Sequence, residues 1–220
     1  MSKSQILKDL VGGEERLESV LMRLKVILAD LENEEINKWI NSEIQGYETV
    51  NDVPPYRVLK GRPIGTYMLG NLKHTNASIP LNHISTELRE QMLTINITDG
   101  ALGIKSLLDS TSEVGRPVPA EVCQRLSHVG FYLSGMRIEV SPNQLQGIVA
   151  NIKNKVTNII MKLEKDFGNL DSLDVFSGEG SPKELESIQQ YIISVIYDNS
   201  ITIGDENKIK TSNVGHKGEV

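Results

Sequence analysis

A single cysteine, Cys123, is all the thiol chemistry this sequence holds. One thiol closes no intramolecular disulfide and builds no cysteine-based zinc site, which agrees with a reducing cytosol. Within the apolar helical pattern VCQRL it reads as a buried small hydrophobe. No stretch reaches the ~18 uncharged apolar residues that a membrane span requires. The opening, MSKSQILKDLVGG, lacks the apolar region and small-residue cleavage site of a secretory signal. The expected compartment is therefore the cytoplasm, with no membrane partner. A basic excess is also missing: the formal net charge is −6 and the pI about 5.3. No global field gathers nucleic acid, although a local basic patch stays compatible with this charge.

Catalytic patterns are equally scarce. There is no Gly-x-Ser-x-Gly elbow, and VGG, EGS and GDENK do not form a phosphate-binding loop. Of the histidines His74, His83, His128 and His216, only the first two share a region. No cysteine or paired carboxylate stands beside them at metal-ligand spacing, so they read as surface or hydrogen-bonded residues. Asp99 and Lys105 share a neighbourhood, but no strand carries the acid–x–lysine arrangement of a metal-dependent nuclease. Glu14-Glu15 and Glu34-Glu35 read as solvated first-turn charges. The expectation is no catalytic residue, no metal and no cofactor.

What is present is an ordinary globular composition, 39% hydrophobic and 24% charged, in a chain long enough for one sizeable domain and an appendage. Ile6, Leu7, Leu10 and Val11 form an apolar stripe that Gly12-Gly13 interrupts. Leu17, Val20, Leu21, Leu24, Ile27, Leu28 and Leu31 then recur at helical spacing. Asn33 is placed to cap a third helix with Ile36, Trp39, Ile40 and Ile44 on one face and Gly46 at its end. The lone tryptophan sits mid-face as a core anchor. From Pro54-Pro55 onward the pattern predicts short strands at Tyr56–Lys60, Ile64–Leu69 and Ala77–Ile79. A helix is expected at Thr86–Met92, a strand through Leu93, Ile95 and Ile97, and a helix opened by Asp99. Pro119 should lead another short helix to Leu126. Met136, Ile138 and Val140 alternate as a strand. Ser141-Pro142-Asn143-Gln144 combines a capping box with proline at the first helical position, and Leu145 to Leu163 predicts a long helix ending near Lys165. Lys153, Lys155, Lys162 and Lys165 read as its solvated face. DFGNLDSLDVFSGEG is aperiodic and linker-like. Ser181-Pro182-Lys183-Glu184 then opens a helix through Leu185, Ile188, Ile192 and Val195.

Two of these stretches carry a family likeness. EEINKWINSEIQGYETVNDVPPYRVLKGRPIG, with Trp39, Gly46-Tyr47, Asp52 and Pro55-Tyr56-Arg57, resembles the N-terminal signature of the AbiTii family, a domain of bacterial abortive-infection systems. RIEVSPNQLQGIVANIKNKVTNIIMKLEK is similar to the strand, Ser-x-x-Gln-Leu-x-Gly-Ile helix start and long helix that end that domain. The likeness spans roughly residues 4–166, and the Asn-, Gly- and Ile-rich tail also has parallels in the family. It implies a role in defence against phage and brings no catalytic residues. The expected fold is α+β: N-terminal helices, a small mostly antiparallel sheet and one long helix, then a C-terminal helix and a short β-solenoid-like tail. Residues 1–166 are expected as the AbiTii-like domain, 167–180 as a linker and 181–220 as a helix plus β-rich oligomerisation tail.

Two surfaces are marked for function. In YRVLKGRPIGTY, the residues Tyr56, Arg57, Lys60, Arg62 and Tyr67 form a basic-aromatic strip suited to phosphate or nucleic acid, or else a half-buried strand with its cations facing water. In the tail, Ile201, Ile203, Ile209 and Val214 alternate with tight-turn residues, in the manner of β-solenoid coils. So few coils cannot bury an apolar face within one chain. Either several tails wind together, with Ile192 and Val195 of the adjoining helix contributing, or the tail adds a strand to a second protein of the same system. Disorder is the plain alternative for a short polar terminus. The first functional expectation is a non-enzymatic defence component that homo-oligomerises or docks a partner. The second is a nucleic-acid-binding or nuclease-type toxin using the strip at 56–67. A third, a ligand sensor with a pocket between sheet and long helix, comes with no ligand.

Overall fold

Helices α1 (Gln5–Gly12), α2 (Leu17–Ala29) and α3 (Glu34–Gln45) open the chain. The computed structural model describes residues 3–13, 15–110, 113–173, 175–176 and 182–197. A 3-10 turn at Pro55–Arg57 leads into β1 (Val58–Lys60), β2 (Arg62–Leu69) and β3 (Leu72–Ser78). Then come α4 (Thr86–Leu93), β4 (Thr94–Asn96), α5 (Ala101–Asp109), β5 (Val114–Pro117) and α6 (Ala120–Leu126). The chain continues as β6 (Phe131–Val140), α7 (Pro142–Phe167) and α8 (Pro182–Tyr197). This is the expected α+β class. The strands make a two-stranded sheet, β1 with β4, and a four-stranded sheet in the order β3-β2-β6-β5, every pairing antiparallel.

Local chemistry accounts for the element boundaries. The Asn33 Oδ1 accepts from the backbone N–H groups of Glu35 and Ile36, as a helix N-cap should. The Ser141 and Gln144 side chains form the reciprocal capping box, with Pro142 at the first turn of the 26-residue α7. Gly46 takes φ +110°, and a Cβ added there would lie 2.9 Å from the Thr98 carbonyl oxygen. Only glycine permits that approach, which brings the end of α3 against the start of α5. The expected strand at Tyr56–Lys60 is shorter: the consecutive prolines hold Pro55–Arg57 in a 3-10 turn, and pairing begins at Val58. β5 was not expected at all.

Two cores result. The larger lies among α1, α2, α3, α5, α7 and α8, where Leu145, Ile148, Ile152, Val156, Ile159, Ile160 and Leu163 of α7 are all buried. Each such side chain contributes about 1.5–3 kcal/mol by leaving water. The smaller core lies on the inner face of the four-stranded sheet, where Tyr67, Phe131, Leu133, Met136 and Ile138 meet Leu93, Cys123 and Leu126. Cys123 is buried, as expected. Ile95 packs against both cores and joins the layers. Lys155 departs from the expected solvated face. It is 4% exposed, donates from Nζ to the Val195 carbonyl at 2.7 Å and lies over the Tyr56 ring at 5.1 Å. Helix α8 shares the larger core through Ile188, Ile192 and Ile196, and Gln189 Nε2 donates to the Leu31 carbonyl at 2.7 Å.

Candidate functional site

The signature residues converge on one carboxylate. Trp39 and Glu43 stand one turn apart on the buried face of α3, and Tyr47 follows after the glycine end of the helix. Glu43 has no exposed surface, and neither has Arg57 from the 3-10 turn. Glu43 Oε2 accepts from Arg57 Nη2 at 2.6 Å, and Oε1 from Arg57 Nε at 3.2 Å. The same Oε1 accepts from the hydroxyls of Tyr47 and Tyr56, each at 2.5 Å. Trp39 Nε1 donates to the Tyr56 hydroxyl at 3.0 Å. The remaining guanidinium nitrogen, Nη1, donates to the carbonyls of Ile97 at 3.2 Å and Asp99 at 2.6 Å. The network thus fastens α3 to the 3-10 turn, to the end of β4 and to the approach of α5.

Its electrostatics follow from burial. Burial, reinforced by the Glu43 charge, pushes the phenols of Tyr47 and Tyr56 far above the ordinary tyrosine range, so both stay protonated donors. Burial pulls the Arg57 guanidinium down, but hydrogen bonds and charge from Glu43 outweigh it and hold it above its ordinary value. The Arg57 guanidinium also lies 4.9 Å from the centre of the Tyr47 ring. Donors and acceptors are matched within the chain, and the network locks these segments together.

The basic-aromatic strip is divided by this arrangement. Arg57 is fully buried and pairs with Glu43, so its guanidinium is out of reach of a phosphate, while half-buried Tyr56 gives its hydroxyl to Glu43. Tyr67 points into the smaller core, stacked on His74 at 4.7 Å and against Phe131 at 5.3 Å. Lys60 and Arg62 are exposed. Ile192 is wholly buried in the chain's own core, and Val195 is half-buried against it. Ile201, Ile203, Ile209 and Val214 lie outside the described residues.

The fold makes two further groupings that residue spacing concealed. His83 and His128, separated by 45 positions, meet with ring centres 5.0 Å apart, and His128 stacks on Phe131 at 5.2 Å. No group of three or more metal-ligating side chains occurs among the described residues. The second grouping is apolar and exposed. At the end of the four-stranded sheet, Met68 pairs with Tyr132 and Leu69 with Leu72, and the Gly70 amide donates to the Gly130 carbonyl at 2.8 Å. Met68, Leu69, Leu72, Val129 and Tyr132 are all exposed there, Leu72 at 67%.

Glu43 is the member of the lock that sequence reading missed. A usable signal existed: it falls on the same helical face as Ile36, Trp39 and Ile40, and a charge on an apolar face calls for a buried partner. No helix among the described residues is long and apolar enough to cross a membrane. No curated protein and no solved structure matches the chain. The AbiTii family model matches residues 4–191, a span that holds the whole lock, the sheet and most of α8. The chain belongs to the AbiTii family.

Proposed function

We propose that this protein serves abortive-infection defence as a non-enzymatic module that works by docking, to further copies of itself or to a second protein of the system. Family membership suggests the defence role. The docking reading is carried by the end of the sheet, where Met68 and Tyr132 stand exposed on one face, Leu69 and Leu72 on the other, and Val129 in the turn before β6. Large apolar side chains gathered at one end of a sheet are the kind of surface that serves interaction sites. The isoleucine-bearing tail is a second element of the same reading, because its apolar residues are too few to form a core alone.

The test combines mass photometry with a phage-challenge assay on the full chain and on Leu72→Glu/Tyr132→Glu. Both positions are on the surface, so the variant should keep its thermal stability. The expected result is loss of protection, with a fall in assembly mass if the partner is a second copy. Undiminished protection by the variant would remove the docking role of the sheet end. The competing nucleic-acid reading rests on Lys60 and Arg62, the exposed remainder of the strip. It predicts salt-dependent binding that weakens when both become alanine.

A further inference from the structure

A groove of about 200 Å³ opens between the start of α2, the length of α5 and the middle of α7. Leu17, Leu102, Leu108 and Val149 give it an apolar wall. Arg16, Lys105 and Lys153 stand around it, one from each of the three helical segments. Among the described residues, Lys3, Arg23, Lys38, Arg57, Arg137 and Lys162 each meet a carboxylate. The charged side chains of Arg16, Lys105 and Lys153 make no ion pair or hydrogen bond with the described residues. Glu18 and Asp109 also line the groove and offset part of this charge, leaving the lining at a net of one positive.

Two physical consequences follow. Arg16 occupies the N-cap of α2 without capping it, so a cation lies beside the positive end of the helix dipole. An anion in the groove would relieve that repulsion while meeting the lysines of α5 and α7. The wall beneath is apolar, unlike that of the larger cleft of about 690 Å³ between the end of α7 and α8, whose lining is mainly polar. Concave apolar walls with a few convergent polar groups are the general form of small-ligand sites.

We infer that this groove binds a small amphiphilic anion, with an aliphatic or aromatic body on the Leu17–Leu102–Leu108–Val149 wall and an acidic head held by Arg16, Lys105 and Lys153. The volume suits one compact apolar body, which favours a small molecule over an extended peptide. This site is separate from the docking surface at the sheet end and does not rest on it.

The test is calorimetric titration of the full chain with octanoate, octanol and inorganic phosphate, read beside amide chemical shifts. Octanoate should bind saturably and shift amides of residues 16–18, 101–109 and 149–153, with octanol and phosphate at least tenfold weaker. Lys105→Glu/Lys153→Glu should weaken octanoate at least tenfold and leave the melting temperature near that of the parent. Val149→Trp, which fills the groove, should abolish binding without reversing charge. Octanoate binding no stronger than octanol, or indifferent to the charge reversal, would overturn the assignment. So would binding of an acidic peptide at this groove with no binding of octanoate.

Discussion

A carboxylate with no exposed surface is stable inside a protein only when donors fill its lone pairs, and Glu43 has them from Arg57, Tyr47 and Tyr56. Such a pair adds little net stability over a well-packed apolar alternative, yet breaking it strands a charge. Glu43→Gln should therefore lower unfolding free energy by about 3–5 kcal/mol, read by urea denaturation, with Arg57→Ala similar. The phenols add a pH dependence. Their folded pKa values are raised, so the stability they support is complete below the ordinary tyrosine range near 10 and is lost as pH rises above it. Tyr47→Phe/Tyr56→Phe should flatten that alkaline loss, at the cost of hydrogen bonds to Glu43. Denaturation midpoints between pH 8 and about 11 would show it, since the unfolded chain ionises within that window. An unchanged alkaline slope would place the effect elsewhere.

Helix α1 illustrates what an element needs from its neighbours. Ser4 at its N-cap makes no side-chain cap, because its hydroxyl accepts from the Leu170 amide at 3.0 Å instead. The orphan N–H groups are met from outside: Ser4 N–H donates to Glu164 Oε1 and Gln5 N–H to Asp171 Oδ1, both at 2.7 Å. Burial would raise the Glu164 carboxyl, but hydrogen bonds from Ser4 and Lys3 outweigh it and hold it below its ordinary 4.5. With a depressed folded value, its contribution is present above pH 4.5 and fades as pH falls below. Glu164→Gln should loosen the docking of α1 at neutral pH, seen as faster hydrogen exchange at residues 4–8 while the amides of α7 stay protected. Equal acceleration along α7 would mean global destabilisation instead. Neighbours also explain the strands. The seven-residue β3 reads LKHTNAS, polar on both sides, and pairs because β2 templates it. β5 reads VGRP, a turn by composition, and becomes an edge strand because β6 supplies the partner.

For the molecule as a whole, α8 shares the helical core with the long helix. Ile188, Ile192 and Ile196 are almost wholly buried against the helical core. Each is worth about 1.5–3 kcal/mol by leaving water. A chain cut after Lys165 should thus melt earlier than a chain cut after Tyr197 and expose apolar surface to a hydrophobic dye. Equal stability of the two truncations would show that α8 adds nothing to the core. Lys155 belongs to the same scale: its ammonium is covered because α8 lies across it and supplies the Val195 carbonyl. Charge pattern along α7 could not reveal this, since the covering helix arrives some forty residues later.

Sequence alone determined the helices with strong period and clean caps, the class of fold and the family, because these depend on side-chain spacing and on backbone groups within a few residues. It also located Trp39, Tyr47, Tyr56 and Arg57. Tertiary structure set Glu43 among them and drew Tyr56 and Arg57 of the strip into an internal lock, leaving Lys60 and Arg62 exposed. The fold likewise drew α8 into the core, paired the polar strands, joined His83 to His128 and exposed the apolar sheet end. The physical reason is that burial and hydrogen-bond satisfaction depend on which groups meet, and most of these partners lie far apart in the chain.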